Sequence, residues 1–209
     1  TTLNSENGAT DQVTAGGTIT LAGGADDGNG TPAGSAWGNS SGNRIGVLAG
    51  TSYGETGGID TKVNTFNVYS GNKGITIRGQ SAYSRGVSIP LGSNIYAGGT
   101  ILISGSSSAS GGWFHGLALG DITGAPASGT SGFNIVSAAS DTAISLSGTN
   151  SNAGTTSPGE GIAGPYNVSA TYISMLRATG GGTISITGSA VANTGVDLGR
   201  IDILSNNGI

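Results

Sequence analysis

Apolar and polar residues alternate in this chain over short runs, and the runs share a template. GTITLAG (17–23), RIGVLAG (44–50), GITIRG (74–79), GTILISG (99–105), TAISLSG (142–148) and GTISITG (182–188) follow Gly-x-Ile-x-Ile/Leu-x-Gly with small departures. A period of two puts successive side chains on opposite sides of a strand. Ile19 and Leu21 therefore point one way, and Thr18 and Thr20 the other. The same split groups Ile75 with Ile77, Ile101 with Ile103, Ile144 with Leu146 and Ile184 with Ile186, and Val47 with Ile45 fits beside them. A second strand type follows the template: RGVSI (85–89), HGLAL (115–119), EGIAG (160–164) and TGVDL (194–198). A third precedes it: FNVYS (66–70), NIYAG (94–98), FNIVS (133–137), YISML (172–176) and RIDIL (200–204).

Three strand types returning in a fixed order are hard to build from hairpins and natural for a coil. Each turn then has three faces, and like strands stack on like at the spacing of a sheet. The expected core ladder is Ile19, Val47, Ile75, Ile101, Ile144 and Ile184. The fold predicted is all-β: a right-handed parallel β-helix, a three-faced solenoid of about six to seven turns. Its inward Ile and Val fill a narrow prism, its outward Thr and Ser face water, and Gly and Asn turn the corners. Uneven spacing places insertions at corners, in 24–43, 106–115, 120–132 and 149–165. No long stretch of helical period is present, and no composition shift marks a boundary, so residues 1–209 read as a single solenoid domain. Asn206-Asn207-Gly208-Ile209 looks like the opening of another first-type strand, so the chain is expected to be a segment or subunit of a longer array.

Composition narrows the alternatives. Gly supplies 42 of 209 residues and only 9% are charged, both far from ordinary globular values. Recurring β-branched residues and a net charge of only −4 argue against disorder. Gly at irregular positions with 5 Pro excludes collagen. The seven cations (Arg44, Lys62, Lys73, Arg78, Arg85, Arg177 and Arg200) are scattered, with no basic stripe for nucleic acid. Cys is absent, which removes disulfides, thiolate metal sites and thiol nucleophiles. No apolar run is long enough to span a bilayer, so membrane insertion is not expected. The opening Thr1-Thr2-Leu3-Asn4 is not a signal peptide; an export address would lie outside this chain or have been removed.

The run TGGGTISITGSAVANTGVDLG (179–199), with YISML before it, resembles repeats of filamentous-haemagglutinin-like exoproteins of bacterial two-partner secretion. Weaker echoes lie at 85–105 and 133–148. The resemblance implies a right-handed parallel β-helix secreted from, or displayed on the surface of, a Gram-negative bacterium. It implies roles in adhesion and biofilm cohesion, with glycans or proteins of host-cell or bacterial surfaces as partners. That family's secretion domain carries an Asn-Pro-Asn-Gly-Ile type motif. Asn206-Asn207-Gly208-Ile209 lacks the proline, so the chain resembles a shaft segment and not the export domain.

Chemistry is sparse. A hydrolase or lyase on such a scaffold needs carboxylates or bases clustered on one face. Most of the 11 acids sit at corners or in insertions, so no catalytic residue and no enzymatic activity is expected. Asp26 and Asp27, in GGADDGNG, could supply carboxylates to a Ca²⁺ site. The Gly-Gly-x-Gly-x-Asp repeat that binds Ca²⁺ in solenoids is absent, and a solvated turn is the simpler reading, so neither metal nor cofactor is expected. The sole histidine, His115, reads as a surface residue flanking a strand. Trp37 in the first long insertion, with Trp113 and Phe114 in GGWFHGLALG, forms the candidate ligand-binding set. Planar side chains on a rigid surface stack on sugar rings or anchor a protein, although an aromatic can also fold under its own loop. Outward Thr18, Thr20, Thr76, Thr100, Ser145, Thr183, Ser185 and Thr187 form a Thr/Ser-rich strip, but Arg44, Leu48, Arg78 and Leu102 interrupt it.

Overall fold

A computed structural model of the chain describes residues 11–15, 19–22, 47–48, 66–81, 85–89, 91–109, 114–120, 132–154, 159–165 and 173–206. The described residues contain strands and no helix. A first turn comprises β1 (Asp11–Ala15), β2 (Ile19–Ala22) and β3 (Val47–Leu48). The second holds β4 (Phe66–Ser70), β5 (Ile75–Ser81) and β6 (Val87–Ile89), and the third β7 (Asn94–Ala97), β8 (Ile101–Ser107) and β9 (Leu117–Leu119). The fourth holds β10 (Asn134–Ser137), β11 (Thr142–Asn150) and β12 (Ile162–Ala163), and the fifth β13 (Ser174–Ala178), β14 (Thr183–Ala190) and β15 (Val196–Asp197). β16 (Ile201–Ser205) opens a sixth.

Every pairing among these strands is parallel and joins one turn to the next. Three sheets result: β1-β4-β7-β10-β13-β16, β2-β5-β8-β11-β14 and β3-β6-β9-β12-β15. The architecture is a three-faced parallel β-helix.

Apolar ladders set the register. On the second sheet Ile19, Ile75, Ile101, Ile144 and Ile184 lie in one row. On the first sheet the row is Val68, Ile95, Ile135, Leu176 and Ile203. On the third it is Val47, Val87, Leu117, Ile162 and Val196. From Val68 to Leu176, and across the second and third rows between the end turns, these side chains are buried in one core, with Phe133 and Leu91 filling corners. Each buried Ile or Leu contributes roughly 1.5–3 kcal/mol of transfer free energy.

Val47 therefore does not belong to the Ile19–Ile75 row. It pairs with Val87 and is a third-sheet residue. The run 44–50 imitates the first-type template, but its strand is the last of the opening turn. Ile19 and Ile75, 56 positions apart, are direct neighbours in the sheet. The described strands make five triplets plus one strand, fewer than a count that treats 44–50 as a separate first-type strand.

The first two sheets alternate as a half-solvated sheet should, with β7 and β8 buried at every second residue. The third sheet does not: β6 and β9 are buried at every position. Ser88, Ala118 and Ala163 occupy the outer side of this sheet and are all buried. Small residues there match a face covered on both sides.

Where the second sheet meets the third, the backbones nearly touch. Gly79, Gly105, Gly148 and Gly188 form one row, and Gly86, Gly116, Gly161 and Gly195 stack opposite. A Cβ at Gly105 would fall on the Gly116 carbonyl oxygen, and one at Gly148 on that of Gly161. The two glycine rows form a seam that no side chain can enter.

Two predictions follow the packing. Ile101→Ala, between Ile75 and Ile144, lowers the free energy of urea unfolding by about 2–5 kcal/mol. Gly105→Ala lowers it by more than about 2 kcal/mol, whereas Gly154→Ala, exposed and facing only the Asn152 side chain, changes it by less than about 0.5 kcal/mol.

Candidate functional site

Immediately before each glycine of the third-sheet row stands a residue of different chemistry. Arg85 precedes Gly86, His115 precedes Gly116, Glu160 precedes Gly161 and Thr194 precedes Gly195. Backbone bonds stack these corners. Gly86 N–H donates to His115 O at 3.2 Å, Gly116 N–H to Glu160 O at 3.1 Å, and Gly161 N–H to Thr194 O at 3.3 Å. The fold thus places a cation, an imidazole and a carboxylate on three successive turns. All three are buried: Arg85 is 2% exposed, His115 1% and Glu160 8%.

The imidazole sits between the charges and contacts both functional groups of Glu160. Its Nδ1 accepts the Glu160 backbone N–H at 3.0 Å. The same Nδ1 lies 3.2 Å from Glu160 Oε2. A nitrogen that accepts a backbone N–H carries its lone pair there, so the ring proton resides on Nε2. Among the described residues Nε2 has no hydrogen-bond partner. Burial pushes the His115 pKa below the ordinary histidine value; Glu160 opposes that shift and Arg85 reinforces it.

Beside this stack the second-sheet strands run past the glycine seam and line it with uncharged polar groups. Ser107 and Asn150 are both buried. Asn150 Nδ2 donates to the Phe114 carbonyl, and Asn150 Oδ1 accepts the Asn152 N–H at 2.9 Å. Ser107 Oγ accepts the Ala109 N–H at 3.3 Å, and Ser107 O accepts the Ser151 N–H at 2.9 Å. The corner is a polar compartment adjoining the apolar prism and walled from it by glycine backbone.

His115 is thus not the surface residue its isolated position in the sequence predicts. It is one rung of a buried polar stack, because coiling brings Arg85 and Glu160 onto the turns at either side. Neither Arg85 nor Glu160 stands out in the sequence as a site residue. The available signal was their shared position before the glycine of RGVSI, HGLAL and EGIAG. Of the aromatic set, Phe114 is half-buried and its carbonyl anchors Asn150, while Trp37 and Trp113 lie outside the described residues. Asp26 and Asp27 also lie outside them. Among the described residues no group of three or more His, Asp or Glu could hold a metal ion.

The outer side of the first sheet carries a second organised patch. Asn94 Nδ2 donates to Asn67 Oδ1 at 2.7 Å, and Asn134 Nδ2 to Asn94 Oδ1 at 2.9 Å. Two residues along, Tyr69 and Tyr96 stack with centroids 5.4 Å apart and planes 4° from parallel. Burial, then the neighbouring Tyr69, raises the Tyr96 pKa.

The chain matches no family model, no curated protein and no solved structure.

Removing one member of the buried stack leaves the rest uncompensated. Glu160→Leu is expected to destabilise the chain by about 3 kcal/mol or more, and Arg85→Met/Glu160→Leu by less than the sum of the single losses. Urea unfolding of the two singles and the double measures the difference.

Proposed function

We propose that this chain is a non-enzymatic shaft segment of a secreted or surface-displayed fibrous adhesin of the filamentous-haemagglutinin-like kind. The observation that carries the reading is the unbroken parallel pairing of all three faces from turn to turn. Such a ladder is stiff along the coil and transmits load through backbone hydrogen bonds, while long insertions leave at its corners. The resemblance at 179–199 supports an exported product, and the lack of Cys is compatible with a fold held by its ladders alone. In this reading the insertions make the contacts, with glycans or proteins of host-cell or bacterial surfaces as partners and Trp37, Trp113 and Phe114 as anchors.

A second reading, an extracellular filament or sheath joined end to end, draws on the last turn. Ile186, Val196, Leu198, Ile201 and Ile203 occupy inward rows yet are only partly buried. The outer edges of β14, β15 and β16 have no partner strand among the described residues. An exposed parallel edge over apolar rungs is a template for another coil.

Surface-immobilised chain is expected to retain bacterial or epithelial cells, and the Trp37→Ala/Trp113→Ala/Phe114→Ala variant to lose that retention; equal retention by both removes the aromatic anchors from the account. Sedimentation velocity separates the two readings. A shaft segment stays monomeric or aggregates irregularly as concentration rises, whereas a filament subunit forms growing linear species that Ile203→Lys suppresses.

A further inference from the structure

We propose that the Arg85–His115–Glu160 stack is an acid-sensitive latch: protonation of His115 removes the acceptor that holds the Glu160 amide and releases that N–H, while the backbone bonds of Glu160 O and Gly161 to the adjoining turns remain. The inference is independent of whether the chain acts as a shaft or a filament.

The argument begins with one atom. Nδ1 of His115 has a single in-plane position for a lone pair or a proton. Two groups of the same residue compete for it: the Glu160 N–H at 3.0 Å and the Glu160 carboxylate at 3.2 Å. With the ring neutral, the lone pair takes the N–H. With the ring protonated, Nδ1–H turns toward Oε2 in a charge-assisted bond, and the buried Glu160 N–H is left without its acceptor. The partners exclude each other, so the corner has two states selected by one proton.

The surroundings favour the neutral state. His115 is almost wholly buried, and Arg85 on the preceding turn adds a like charge to any imidazolium. Glu160 on the following turn pulls the other way. Among the described residues beside the stack, Ser107 of β8, Asn150 of β11 and Thr194 before β15 are uncharged. By sequence, residues 82–84, 110–113 and 155–158 contain no Asp, Glu, Lys, Arg or His. β8 and β11 contain no Asp, Glu, Lys, Arg or His, and β15 carries one carboxylate, Asp197.

The direction with pH follows. The unfolded chain binds the proton near the ordinary value of 6.5, and the folded chain only below it. Over that interval the unfolded state holds more protons, so stability falls as pH falls. The stabilisation is complete above the ordinary value and is lost on the way down through the lowered one.

Because the chain has one histidine, its ring signals in a ¹H–¹³C spectrum need no assignment by mutation. The ring of the intact chain, and the Glu160 and Gly116 amides, are followed from pH 8 to pH 5, with His115→Asn as reference. Asn offers an acceptor where Nδ1 lies and does not titrate. The expected result is a neutral ring with its proton on Nε2 at pH 7.5, a midpoint below the ordinary value, and an amide shift of Glu160 at that same midpoint. Hydrogen-exchange protection at Glu160 falls about tenfold in the intact chain relative to the variant, the worth of about one buried hydrogen bond. A ring midpoint at or above the ordinary value overturns the proposal. So does a Glu160 amide whose protection has the same pH dependence in both proteins. If His115→Asn does not fold, agreement or disagreement of the ring and Glu160 midpoints in the intact chain decides it.

Discussion

The fold rests on the in-register stacking of one turn upon the next. Each strand is too short to stand alone: the third-sheet strands β12 and β15 have two residues each. What holds them is that each residue meets its counterpart one turn away, through backbone bonds and a matching side chain. A slip of one residue would turn Ile101 outward and Leu102 inward, and would bring Cβ-bearing residues into the glycine seam. Apolar row and glycine row therefore enforce the same register by opposite means, one by attraction and one by exclusion.

That constraint explains where chemistry can sit. Interior positions take apolar groups and, on the first sheet, the small buried serines Ser70, Ser137 and Ser174, and the seam accepts only glycine. Charged and larger polar residues are left to outward positions and to the corners. At the outward positions they build the Asn67–Asn94–Asn134 ladder and the Tyr69–Tyr96 stack. At the corner beyond the seam they are buried, and stacking forces unlike residues into contact: Arg85, His115 and Glu160 meet because they hold the same place in successive turns. Breaking such a buried set by removing one member costs more than the intact set contributes.

Much of this was legible from alternation and glycine. The strands bearing Ile75, Ile101, Ile144 and Ile184 follow from a period of two closed by Gly, and their stacking from the return of three strand types in order. Alternation alone places the strand at Val47 in the wrong row, because Val47-Leu48-Ala49-Gly50 closes on glycine as the first-type strands do, and spacing does not separate a short turn from a face of a long one. β1, with the sequence DQVTA, has only Val13 as a large apolar inward candidate and no leading glycine, so periodicity gives it little signal. The covered outer side of the third sheet was written in Ser88, Ala118 and Ala163, whose small size is also ordinary for a surface. The buried corner was invisible for a different reason. Its members lie 30 and 45 positions apart, and a histidine considered alone has no reason to be buried; only alignment of the strand templates brings its partners beside it.

The most direct test of the account is the pattern of backbone nuclear Overhauser contacts in the uniformly labelled chain. In-register parallel stacking predicts contacts linking Ile75 to Ile101 and Ile101 to Ile144, repeated at Val87 with Leu117 and at Ile95 with Ile135. Contacts that join any of these strands in antiparallel fashion, or that shift Ile101 by one residue against Ile75 or Ile144, would contradict the coil and everything argued from it.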